Sequence, residues 1–95
     1  MKKINVIKRG DLLVQTNLVS EDESKFIIVT ETLPDLVIHW HINKDIKNIS
    51  KAKGKAQGNI CPISNVRKPY KSELTEEIMK QYKKALTKLI LKGVI

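Results

Sequence analysis

The sequence predicts a small, mainly β domain of the α+β class: a strongly bent antiparallel sheet or SH3-like barrel of about five strands with one C-terminal packing helix. Three observations predict it. Short runs of alternating or β-branched apolar residues fill the first two thirds of the chain, turn-forming residues separate them, and one sustained helical period occupies the last quarter. Strands do not alternate with helices, which argues against a parallel α/β sheet. The 95 residues suffice for one core, so residues 1–95 are read as a single domain.

Ile4 to Ile7 is a short apolar stretch, and "KRGD" (Lys8 to Asp11) then supplies a turn glycine. In "LLVQTNLV", Leu12, Val14, Thr16 and Leu18 fall on one face and Leu13, Gln15, Asn17 and Val19 on the other, the pattern of a strand with one drier side. An acidic tip, "SEDES", precedes the β-branched "KFIIVTET", so Leu12 to Thr32 reads as a hairpin. "LPDL" has the composition of a tight turn. In "LVIHWHIN", Leu36, Ile38, Trp40 and Ile42 share a face suited to a core, and Val37, His39, His41 and Asn43 share the opposite, wetter one.

"NKDIKNISKAKGKAQGN" has no period and carries Gly54 and Gly58 among lysines, which predicts an exposed basic loop over 44–59. "NICPIS" is the last short strand, at an edge or a bulge because Pro62 cannot donate to a ladder, and "NVRKPYKS" is a linker. All strands then lie within 4–66. Leu74, Ile78, Tyr82, Ala85, Leu86, Leu89 and Ile90, with Met79 beside them, recur at helical spacing and predict a helix over about 75–92. Thr75 suits its N-cap, Glu76 and Glu77 its positive end, Lys88 and Lys92 its negative end, and Gly93 its stop.

The formal net charge is +8, and its distribution is uneven. Residues 1–45 sum to −1, whereas residues 46–72 hold seven basic residues and no acidic one. Such a segment draws polyanions, most simply the phosphates of nucleic acid. Cys61 is the only cysteine, which excludes an intrachain disulfide and a CxxC zinc site and fits a reducing compartment. The start, "MKKINVIKRG", is too short in apolar residues for a signal-peptide core, and no run approaches a membrane span. A cytoplasmic protein without a membrane partner is expected.

His39 and His41 are the candidate catalytic pair. Residues two apart on a strand lie roughly 7 Å apart, so one neutral imidazole can take the 2′-hydroxyl proton of RNA while a charged one protonates the leaving oxygen. Lys44, or Arg67 and Lys68 if the fold brings them close, would hold the phosphate charge. The competing account is that both histidines merely tolerate water on a strand's outer face. A metal would need a third donor, and Asp45 and Cys61 are not positioned by sequence to supply it, so neither metal nor cofactor is assigned. Lys51, Lys53 and Lys55, spaced by small residues, suit backbone phosphates. Arg67, Lys68, Tyr70 and Lys71 interleave cations with an aromatic ring, as single-stranded nucleic acid binding requires. Trp40, Tyr82 and Cys61 are expected in the core.

These segments together resemble the PemK/MazF family of toxin endoribonucleases. "VIKRGDLLVQTNL" is similar to that family's opening strand and turn, "KFIIVTET" to its next core strand, "LVIHWHINKDIKN" to the strand entering its basic loop, and "LTEEIMKQYKKALTKLI" to its final helix. The resemblance implies an SH3-like barrel, frequently a homodimer, that cleaves single-stranded RNA without metal and is neutralised by a labile antitoxin. Ser24-Lys25 stands where the family has an arginine-proline pair, and Asn43 where it has Thr or Ser, so no catalytic residue is carried across. The resulting expectation is a basic nucleic-acid-binding protein, RNA favoured, with metal-independent RNA cleavage as its enzymatic form. The alternative is a non-enzymatic phage or mobile-element protein that binds and inhibits or regulates a host protein or nucleic acid complex, using the basic loop on an acidic surface or on nucleic acid.

Overall fold

The computed structural model describes residues 6–16, 25–42 and 58–95. Five strands, β1 (Leu12–Gln15), β2 (Phe26–Thr32), β3 (Leu36–His41), β4 (Asn59–Pro62) and β5 (Val66–Arg67), precede one helix, α1 (Glu76–Leu91). All strand pairs are antiparallel, in the order β4-β3-β2-β1-β5. The edge strands β4 and β5 do not pair with each other, so of the two predicted forms the sheet takes the open one and not the closed barrel.

Local chemistry accounts for each junction. Asp11 N–H donates to Lys8 O at 3.1 Å, and Gly10 takes φ +91°, which a residue with a Cβ adopts only under strain. The Asp11 carboxylate accepts back from Lys8 N–H at 2.8 Å and fixes the turn. Between Val29 and Glu31 the β2–β3 register shifts by one residue, leaving Thr30 as the extra member of a bulge whose hydroxyl donates to Ile38 O at 3.1 Å. This single insertion reverses the side on which the rest of β2 displays its residues, so Glu31 pairs with Ile38 and Thr32 with Val37.

Helix α1 begins and ends on the predicted residues. The Thr75 hydroxyl accepts from Ile78 N–H at 3.2 Å, and Glu76 and Glu77 occupy the first turn. At the other end, Val94 N–H donates to Leu89 O and Gly93 N–H to Ile90 O, each at 3.0 Å, with Gly93 at φ +76°: a Schellman stop. Val94 and Leu89, both fully buried, make the hydrophobic contact that accompanies this motif.

The sheet is dry on both faces. On one, Val14, Phe26, Ile28, Trp40 and Ile42 pack with Ile78, Ala85, Leu89 and Val94 into the main core, joined by the half-buried Leu12, Tyr82 and Leu86. The Tyr82 hydroxyl donates to Gly10 O at 2.6 Å and ties the helix to the turn before β1. On the other face Leu13, Ile27 and Val29 form a second cluster with Ile7 and Val66 against it.

Five expectations change. The far face of β3 is not the wetter one: His39 and His41 are 1% and 5% exposed. The alternation of β1 marks two buried sides instead of one, because Leu13 is as buried as Val14. The fifth strand is Val66–Arg67, inside the segment read as a linker and one residue beyond the predicted limit of 66, while residues 6–8 form no strand. On α1 the apolar stripe is narrower than its periodicity suggests, since Ile90 is 53% exposed. The described end of the predicted loop is also short, because Asn59 already belongs to β4.

β4 pairs only with β3, as its proline requires. Ile63 N–H donates to Asp35 O at 2.9 Å, and antiparallel alternation then turns the Pro62 nitrogen toward the open edge, where no donor is missed. Among the described residues, no helix is long and apolar enough to cross a membrane.

Candidate nucleic-acid interface

The histidines are placed by the β2–β3 and β3–β4 ladders. His39 lies opposite Val29 on one side and Asn59 on the other, and His41 lies opposite Ile27. Their rings meet edge to face with centroids 5.3 Å apart. Cys61, opposite Val37, sets its Sγ 3.8 Å from His39 Nδ1. That thiol–imidazole contact was not readable from the sequence, because Cys61 and His39 are 22 residues apart and only the β3–β4 register joins them. Burial pushes the Cys61 thiol up, which keeps it protonated and suited to weak hydrogen bonding, not to attack. Among the described residues no group of three His, Cys, Asp or Glu side chains could hold a metal ion.

The cations expected to serve the histidines are elsewhere. Two strands, β2 and β1, stand between β3 and β5, which places Arg67 about 14 Å across the sheet from the His39 strand. The fold therefore does not bring Arg67 and Lys68 close to the imidazoles. Lys44, Lys51, Lys53 and Lys55 lie outside the described residues.

Arg67, Lys68, Tyr70 and Lys71 lie in or just after β5, ahead of α1, with Lys68, Tyr70 and Lys71 exposed and Arg67 partly buried. Arg67 closes a bidentate pair with Glu73, both contacts 2.9 Å, and donates to Lys68 O at 3.1 Å. Its guanidinium carbon lies 4.0 Å from the centroid of the Tyr70 ring. Glu73 also accepts from Tyr70 N–H at 2.8 Å and meets Lys25 Nζ at 3.3 Å. The Arg67 hydrogen bond, with help from Tyr70 N–H and Lys25, holds the Glu73 carboxyl down at about 2 against burial. Lys68 reaches Asp11 at 3.7 Å and Val6 O at 3.3 Å.

A stretch without acids in the sequence is thus not without acids in space. Glu73 and Asp11, one from each side of the stretch, offset Arg67 and Lys68, and Lys71 and the Tyr70 ring are exposed to solvent. The clamp on Arg67 is not readable from the sequence, although Glu73, six residues on, is its nearest acid.

No family model, curated protein or solved structure matches this chain.

Proposed function

We propose that this protein binds single-stranded nucleic acid, with RNA preferred, and does so without cutting it. The observation that carries this reading is the run from 46 to 72, with seven basic residues, no acidic ones and an exposed tyrosine at its end. The preference for RNA rests on the resemblance to the PemK/MazF family. Absence of turnover rests on burial: a general acid or base must reach the proton it transfers, and His39 and His41 are both shielded.

The test is a filter-binding titration against single-stranded RNA, duplex DNA and heparin at two salt concentrations. Single-stranded RNA should bind most tightly, with affinity falling as salt rises. Replacing Lys51, Lys53 and Lys55 by alanine should flatten the salt slope by up to roughly two to three units. Equal affinity for heparin would reduce the proposal to general polyanion binding, and no binding at low salt would end it. Incubated alone, the RNA should stay intact. Cleavage by wild type that His39→Ala abolishes would restore the toxin-like ribonuclease reading.

A further inference from the structure

The chain has four aromatic residues. Phe26 and Trp40 are buried, and Tyr82 is half-buried with its hydroxyl held by Gly10. Only Tyr70 presents its ring to solvent, at 61% exposure. One face of that ring is already covered, because the Arg67 guanidinium sits 4.0 Å from its centroid. The exposed area therefore belongs to the other face and the rim.

The cover is rigid. Arg67 is fastened by two bonds to Glu73, and Glu73 by a third to the backbone nitrogen of Tyr70 itself. Ring, guanidinium, carboxylate and backbone close one loop, so ordering the ring costs little when a ligand arrives. We propose that Tyr70 is a stacking platform for one unpaired nucleobase, with Arg67 and Glu73 as its positioning residues. This assignment rests on the nucleic-acid reading above and adds to it the contacting group and the moiety contacted.

The chemistry selects the ligand. A cation already lies beneath the ring and draws its π density backward, which disfavours a second cation on the front and favours a neutral, polarisable plane. A nucleobase is such a plane, and a paired duplex hides it. Lys71, one residue after the ring and exposed, can meet a phosphate beside a stacked base, and Lys68, two residues before it, can do so on leaving Asp11.

The experiment compares oligo(U) and oligo(A) with an abasic sugar-phosphate oligomer of the same length, by fluorescence anisotropy. Tyr70→Ala should lower affinity for both base-bearing oligomers roughly tenfold while leaving the abasic oligomer and the salt slope unchanged. Tyr70→Trp should keep the affinity, and its added emission should be quenched by oligo(U) and oligo(A) but not by the abasic chain. Glu73→Gln, which loosens Arg67, should remove part of the base-dependent affinity and none of the abasic affinity.

If wild type binds and Tyr70→Ala binds equally well, the stacking assignment is overturned and the binding reading survives. Equal losses on base-bearing and abasic oligomers would overturn it too, by showing a general distortion of the surface. If wild type binds none of the three, the parent reading fails. A thermal melt confirms that each variant is folded, which the exposure of Tyr70 leads one to expect.

Discussion

Glu73 is the residue on which most polar contacts of the β5–α1 segment converge. Its carboxyl is held at about 2, below the ordinary 4.5. A carboxyl depressed in the folded state contributes stability that is complete above about pH 5 and is lost as pH falls through its folded value. Glu73→Gln should therefore unfold about 1–2 kcal/mol more easily at pH 7, a partly screened pair contributing less than a buried one. The gap from wild type should close toward pH 2, as urea titrations at pH 7, 4 and 2 would record. Gly58 gives a second residue-scale expectation. At φ +128°, an added Cβ would stand 2.8 Å from His39 O and 3.3 Å from Trp40 Nε1. Gly58→Ala should cost about 2–3 kcal/mol. Gly93→Ala, at φ +76° with nothing within 4 Å, should cost only about 1 kcal/mol. Thermal melts of the two variants would rank them.

Among the elements, α1 carries the most legible information. Its period, its N-cap threonine and its terminal glycine are independent signals that agree, and all three are realised in hydrogen bonds. Leu89→Ala should cost about 2–5 kcal/mol, because Leu89 is fully buried between the sheet and Val94. Leu91→Ala, at 79% exposure, should change stability by less than about 0.5 kcal/mol; denaturant midpoints separate the two. β2 and β3 were legible for a simpler reason, since six or seven residues suffice for alternation and β-branching to show. β5 was not, because two residues carry no period and its identity comes only from pairing with Val14 and Gln15. The burial of the histidine face is illegible by the same logic. Alternation tells which residues share a side, but not whether something covers it, and the placing of Ile27 and Val29 beside the imidazoles, with Leu13 one strand further on, needs the strand register to become visible. In the candidate site the residue types of Arg67, Lys68, Tyr70 and Lys71 are legible in the sequence, whereas the acids that pair with Arg67 and Lys68 come from beyond the run and need the fold; Lys44, Lys51, Lys53 and Lys55 lie outside the described residues.

At the scale of the molecule, an open sheet of this size must manage two edges. β5 is two residues long, too short to template a neighbour, whereas β4 is longer and bears Ile60 at 59% exposure. What blunts β4 is Pro62, whose nitrogen faces outward. Pro62→Val should restore a donor there and produce concentration-dependent oligomers, seen as a rise in light scattering or in thioflavin fluorescence over time; a strictly monodisperse variant would refute this account of the edge. The cost to the folded monomer should be small, since no bond to β3 depends on that atom. One pyrrolidine ring, whose nitrogen takes no part in the ladder to β3, would thus decide how crowded a solution this chain tolerates before copies begin to zip together.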